Sequence, residues 1–230
     1  MHSDDDRILL RRFLKEIALF KSLSDRRLNR MLEDFAVLDA TKGKTIFHQS
    51  DNYTDLYIVL KGSVRAVLVN TEGQELILAT FHSGDFFGEM SLLDGKPRSA
   101  TVVAMEDSTL GRLKRDEFLA AVKEDPMIAI ELLSALVQRM RMTDEMLGSI
   151  TFLDVSQRVM KVIRQIAVES GVRDPETGCV KISKLPHKEV AALTGASREA
   201  ISKSIKVLVF KGLIREVKGA YLITQQGDEA

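Results

Sequence analysis

Between Phe35 and about Leu113 the chain alternates short β-favouring runs with turn signals. The runs cover residues 45–47, 56–60, 63–70, 76–81, 99–104 and 108–113. They are separated by Lys42-Gly43, Lys61-Gly62, Glu72-Gly73, Ser83-Gly84-Asp85 and Asp94-Gly95. Many short strands at regular spacing predict an all-β sandwich or barrel. Ahead of it, Leu10, Phe13, Leu14 and Ile17 share one face of a helix predicted over 6–19. Ser24 is placed to cap a second, short helix that runs through Leu32.

The period then changes from two to about three and a half. Asp125-Pro126 supplies a cap and a first-turn proline. Ala129, Leu133, Leu136, Met140, Thr143, Leu147 and Ile150 follow at spacings of four and three, with Gln138, Arg139, Arg141, Asp144 and Glu145 on the other faces. Such a row predicts a coiled-coil-like seam with a second helix, in which Thr143 is the one polar member. Val159, Ile163, Ile166 and Ala167 predict another amphipathic helix after Asp154, and a turn over 173–178 leads into a strand at 180–182.

The last segment is helix-turn-helix in spacing. Helices are predicted over 188–193 and 198–210, joined by Thr194-Gly195-Ala196-Ser197. Gly195 permits the tight turn and Ser197 is an N-cap for the second helix. Residues 215–217 and 221–224, around Lys218-Gly219, predict a β wing. The outer face of the second helix offers Arg198, Glu199, Ser202, Lys203 and Lys206. Arg at such a helix start can take a guanine edge bidentately, Glu can accept from cytosine, and Lys can meet bases or phosphates.

Charge and cysteine content refine this picture. The 230 residues carry no net charge, which hides an asymmetry: from Val155 onward thirteen Lys and Arg face eight Asp and Glu. The C-terminal third is therefore the part suited to a polyanion. Cys179 is the sole cysteine, so no disulfide framework, iron–sulfur ligand set or structural zinc site is expected, and it reads as a small apolar residue in a strand. His48 and His82 have ordinary loop or strand explanations and give no haem signature. The start MHSDDDRILL lacks a signal-peptide layout and no apolar run approaches a membrane span, so a cytoplasmic protein without membrane contact is expected.

Residues 87–102, FGEMSLLDGKPRSATV, read as two strands joined by a turn, yet carry polar groups that strands do not need. Gly88 allows close backbone approach, Glu89 is an acceptor for a sugar hydroxyl, and Arg98 offers its fork of N–H groups to a phosphate. Ser99 adds a hydroxyl and, with Ala100, backbone N–H groups. Acceptor and cation together describe a nucleotide with little phosphate charge, and the chain has no GxxxxGK[ST] loop for triphosphate chemistry. A buried structural ion pair is the competing explanation.

FGEMSLLDGKPRSATV resembles the phosphate-binding cassette of cyclic-nucleotide-binding domains. With TGASREAISKSIKVL behind a long helix, residues 19–224 resemble the cyclic-AMP receptor protein and fumarate–nitrate regulator superfamily of bacterial transcription factors. The resemblance implies an α+β chain in three parts: a jelly-roll-like β-roll ligand-binding domain over 1–124, a dimerisation helix over 125–153 and a winged helix-turn-helix over 154–230. It implies no catalysis and no cofactor, with a cyclic nucleotide, most simply cyclic AMP, as effector. The implied ligand residues are Gly88, Glu89, Met90, Ser91, Arg98, Ser99 and Ala100 of the cassette with Thr143 and Asp144 of the long helix. The implied DNA residues are His187, Ser197, Arg198, Glu199, Ser202, Lys203, Lys206 and Lys218. Homodimerisation, an operator duplex and RNA polymerase are the implied partners.

Three departures qualify the resemblance. Asp144 stands where the family's cyclic-AMP receptor carries a small hydroxyl residue, which opens cyclic GMP and cyclic di-GMP as effectors. Lys203 replaces an Arg and so gives up a bidentate contact, and His187 stands where a phosphate-contacting Arg is frequent. A ligand-independent regulator, a regulatory subunit without DNA binding and an enzyme on a cupin-like β-roll are the alternatives; the last requires a His/Glu metal cluster.

Overall fold

The structure, a computed structural model of the chain, describes residues 4–175 and 178–224. Contacts divide it into two units, Met1–Leu68 with Leu78–Arg141 and Val69–Ile77 with Met142–Ala230. The division falls inside the longest helix.

The first unit opens with α1 (Asp4–Glu16), α2 (Ala18–Lys21) and α3 (Asp25–Glu33). The single helix expected over 6–19 is two, since Ile17 adopts extended backbone between them. Ser24 caps α3 as expected, accepting from the Arg27 N–H at 3.2 Å. Then come β1 (Ala36–Ala40), β2 (Thr45–Phe47), β3 (Leu56–Lys61), β4 (Ser63–Val69), β5 (Glu75–His82), β6 (Phe86–Phe87), α4 (Glu89–Asp94), β7 (Thr101–Ala104), β8 (Ser108–Leu113) and α5 (Arg115–Glu124). Two four-stranded sheets result, in the orders β1-β8-β3-β6 and β2-β7-β4-β5. β3 is central and buried along most of its length, which explains its unbroken apolar run.

Two apolar clusters fill this unit. Leu14, Phe20, Leu28, Met31, Ile58 and Phe118 belong to one that joins helices to sheet. The other is aromatic, with Phe47, Tyr57, Phe81 and Phe87 stacked or tilted at centroid distances of 5.3–5.9 Å.

α6 (Met127–Phe152) follows. Its first half packs on the β unit through Ile128, Leu132, Ala135 and Leu136, while Ile130, Leu133, Val137 and Met140 are exposed. The exposed apolar row thus takes Ile130 and Val137 in place of Ala129 and Leu136, about a sixth of a turn round the helix from the row expected. Leu136 turns inward, and Arg139 lies on the inner side rather than on a solvent face.

The second unit continues with α7 (Val155–Ser170), β9 (Val172–Arg173), β10 (Val180–Ser183), α8 (His187–Thr194), α9 (Arg198–Phe210), β11 (Ile214–Val217) and β12 (Ala220–Ile223). α7 starts at a capping box: Asp154 accepts from the Gln157 N–H and Gln157 accepts from the Asp154 N–H, both at 2.9 Å. The sheet order is β11-β12-β10-β9, all antiparallel. Val159, Ile163, Val190, Ile201, Ile205 and Leu208 are among its core. Cys179 is half-buried just before β10, and Glu176 and Thr177 of the expected turn lie outside the described residues. Among the described residues no helix is long and apolar enough to cross a membrane.

Candidate functional site

The cassette is not a strand pair. β6 ends at Phe87, Gly88 takes φ 83°, and α4 begins at once. Gly95, at φ 70°, closes the helix, and an irregular stretch returns the chain to β7. The sequence EMSLLD has no β-branched residue, and Ser91 and Leu92 give it a buried side, so the short helix is favoured over a strand. Gly88 has a second constraint: a Cβ there would stand 2.5 Å from Arg98 Nη1 and 3.1 Å from the Asp55 carbonyl oxygen. No side chain fits.

Arg98 is 3% exposed. Its Nη1 donates to the Gly88 carbonyl and its Nη2 to the Asp55 carbonyl, each at 2.8 Å. The guanidinium lies 4.2 Å above the Phe47 ring and 5.6 Å from that of Tyr57. Its backbone is pinned as well, by Arg98 N–H to the Asp51 carbonyl and Ser50 N–H to the Arg98 carbonyl, both 2.9 Å. Burial pulls the guanidinium's pKa downward, while Tyr57, Asp55, Glu89 and Asp51 act to raise it. Its Nε is buried and has no hydrogen-bond partner. An Arg keeps its charge, so the cassette holds a fixed cation whose Nε–H is unspent.

Glu89 is 5% exposed and is not a free acceptor. Its Oε1 lies 2.8 Å from Nη1 of Arg139, whose Nη2 also donates to the Phe86 carbonyl. The Arg139 guanidinium sits 4.8 Å from the rings of both Phe81 and Phe86. Sequence reasoning missed Arg139 as a site residue. The available signal was its place in the inward row with Leu132 and Leu136, three and four residues apart.

The remaining cassette residues differ in exposure. Met90 and Ser99 are exposed and touch each other, Ser99 Oγ to Met90 Sδ at 3.3 Å. Ser91 and Ala100 are buried. Thr143 and Asp144 are both exposed on α6, four and five residues past Arg139, and belong to the second unit.

In that unit Gly195, at φ 63°, turns α8 into α9, and Ser197 caps α9 by accepting from the Ala200 N–H at 3.2 Å. Arg198, Glu199, Lys203, Lys206 and Lys218 are exposed. Four of the predicted residues are already engaged, in two pairs. Ser202 Oγ is 2.9 Å from His187 Nδ1, so these side chains tie α8 to α9. The Glu199 carboxyl is held below its ordinary range by a hydrogen bond to its own backbone and another to Ser197. Among the described residues no group of three or more His, Cys, Asp or Glu is placed to hold a metal ion.

Comparison with known proteins agrees with this layout. The cyclic nucleotide-binding domain family matches residues 37–125. The cyclic AMP receptor protein of Thermus thermophilus is 34% identical over 222 residues, covering 92% of this chain and 97% of that protein. The cAMP-activated global transcriptional regulator CRP of Salmonella typhimurium is 31% identical over 172 residues, covering 74% and 80%. Among solved structures, the c-di-GMP responsive global regulator CLP of Xanthomonas campestris has a TM-score of 0.75 at 23% identity, covering 87% of this chain and 99% of that one. At that identity the likeness concerns the fold.

Proposed function

The chain belongs to the cyclic-AMP receptor protein and fumarate–nitrate regulator superfamily of transcription regulators, and from that premise we propose a homodimeric, DNA-binding regulator switched by cyclic AMP. The observation that supports it most is the cassette cation. Arg98 is buried, fixed at two carbonyls and keeps an Nε–H without a hydrogen-bond partner, and the next residue, Ser99, is exposed. A single cyclic phosphate carries one negative charge, which one such cation can meet. Glu89, oriented by Arg139, is the acceptor for the ribose hydroxyl, with Gly88, Met90, Ser91 and Ala100 shaping the cassette around it. Thr143 and Asp144 are proposed to read the base.

On the DNA side, α9 is proposed to enter the major groove. Arg198 takes a guanine edge, Glu199 accepts from cytosine, and Lys203 makes a single-point contact. Lys206, Lys218, Ser197 and His187 meet phosphates or hold the helix in place, Ser202 acting through His187. The three-part division at 124 and 153, the cytoplasmic location and contact with RNA polymerase belong to the same proposal.

Ligand occupancy biases how the dimer presents its two α9 helices. Moving a two-state protein from 1:99 to 99:1 takes about 5.5 kcal/mol. One site at a hundred times its dissociation constant supplies ~2.7 kcal/mol, so two sites per dimer suffice and one does not. Fluorescence anisotropy on duplexes selected from a random pool, with and without cyclic AMP, tests this. The expected result is a DNA affinity that changes by tenfold or more, on the order of 1.4 kcal/mol. Tight nucleotide binding with unchanged DNA affinity would sink the switch.

A further inference from the structure

In the second unit, α7 and the C-terminal end of α9 leave a cleft of about 540 Å³ between them. That volume falls in the range of about 300–1,000 Å³ in which small-molecule sites are found. Met160 and Leu208, 5% and 2% exposed, line it together with Leu213, and so does Val168, which is 85% exposed. Phe152 and Phe210, the residues directly before the lining residues Leu153 and Lys211, are 82% and 92% exposed. Three large apolar side chains in water that line one cleft or adjoin its lining exceed the scattered single exposure of an ordinary surface.

The charged part of the lining is mainly cationic. Lys161, Arg164 and Lys211 stand against a single acid, Asp154. That acid is already engaged, since its carboxylate accepts from the Gln157 N–H at 2.9 Å in the capping box of α7. Lys161 Nζ donates to the Ser149 hydroxyl at 2.8 Å, a neutral partner that leaves its charge uncancelled. Lys161 and Lys211 are exposed, and a lysine stem can lie along apolar surface while its head stays in water. A charge beside apolar walls also meets a weaker dielectric than bulk water supplies. An inorganic anion would leave the apolar floor unused, and a long polyanion would not enter a cleft of this size. An apolar body with one anionic head uses both parts, and the thioether of Met160 can adapt to its shape.

We propose that the cleft between α7 and α9 is a binding site for a small amphiphilic anion, an aliphatic or aromatic monocarboxylate. Its body lies on Met160, Leu208 and Leu213, and its head meets Lys161 and Lys211. The site is separate from the cassette, which belongs to the other unit, and does not depend on the cassette holding cyclic AMP. Leu208 is a core residue of α9, so the occupant rests on the helix proposed to read DNA.

The test is methyl NMR of the full chain without nucleotide, titrated with octanoate, octanol and octylammonium below their micellar concentrations. Octanoate is expected to shift the Met160, Val168, Leu208 and Leu213 methyl signals. It should bind at least ~10-fold more tightly than octanol, the factor that one charge-assisted contact supplies, and octylammonium should not compete. The double variant Lys161→Glu with Lys211→Glu should lose the preference for octanoate while octanol binding and the circular dichroism stay as in wild type. Lys211→Gln alone should be intermediate, and Lys181→Glu, at an exposed position of β10 outside the lining, should keep the preference. No shift of these methyls, shifts confined to the first unit, octanol bound as tightly as octanoate, or a preference that survives in the folded double variant would each overturn the inference. Sedimentation velocity covers the other occupants: a dimer that octanoate dissociates would mean that a second copy fills the cleft. An acidic amphipathic peptide that shifts these methyls where octanoate does not would assign the cleft to a protein partner. Either result overturns the inference as well.

Discussion

The cassette and the exposed face of α9 both present arginine, glutamate and serine, and they are built in opposite ways. In the cassette the charged groups are buried and held in place: Arg98 by β3's approach loop, Gly88 and two rings, Glu89 by Arg139. On α9 the charged groups stand in solvent, where hydration has not been given up. A buried, pinned cation is committed to one geometry before its ligand arrives, which suits a small effector of fixed shape. Exposed charges adapt to a long polyanion and share the work among many weak contacts.

The largest effect is expected from Arg98→Ala. It removes both donors from the Gly88 and Asp55 carbonyls and leaves a void over Phe47, a loss of roughly 2–5 kcal/mol for a buried charged contact. Thermal melting should show it, and the same substitution should remove nucleotide binding. A melting temperature within error of wild type would mean that the cassette is not pre-organised in this way.

Gly88→Ala comes next. The left-handed φ and the 2.5 Å approach to Arg98 Nη1 both oppose a Cβ, so destabilisation of about 1–3 kcal/mol is expected. Denaturant titration measures it; a neutral result would show that the Arg98 side chain yields easily.

Third is the pair beneath the proposed ribose site. Arg139→Met strands a buried carboxylate, and Glu89→Gln takes the counter-charge from a guanidinium that the Phe86 carbonyl still holds, each at a cost of ~1–3 kcal/mol. The double variant should recover part of the sum in a double-mutant cycle. Full additivity would mean that the two side chains act independently.

The smallest effects on stability, and the sharpest contrast, belong to α9. Arg198→Ala and Lys206→Ala should leave melting unchanged within ~0.5 kcal/mol. In DNA titrations Arg198→Ala should lose roughly 1–3 kcal/mol and relax selectivity at one base pair, while Lys206→Ala should lower the salt slope by about 1. A melting change as large as that of Arg98→Ala would erase the distinction between the two regions.

The same distinction explains what could be seen in the sequence. Exposed groups on regular elements were legible: Ser197 as cap, Gly195 as turn and the outward face of α9 all follow from helical spacing. So were most strands, because their alternation and turn residues are local. The structure departs from pattern where tertiary contact outweighs local preference. β1 and α5 carry no period strong enough to stand alone, and α4 reads as a strand until Leu92 and Ser91 are seen to be buried. Arg139 illustrates this best. A charge on an amphipathic helix is ordinarily solvated, and only the ion pair with Glu89 brings it inside. On α6 the expected apolar row is only partly exposed, with Leu136 drawn onto the β unit, since two apolar rows overlap in sequence and only burial separates them.

The central claim, that a fixed Arg98 is a receptor for one cyclic phosphate, is tested most directly by calorimetry. Wild type and Arg98→Ala would be titrated with cyclic AMP, cyclic GMP and cyclic di-GMP, after circular dichroism has shown both folded. The account predicts that cyclic AMP binds wild type at one site per chain and that the variant binds none of the three. Undiminished binding by the folded variant, or no binding of any of them by wild type, would contradict it.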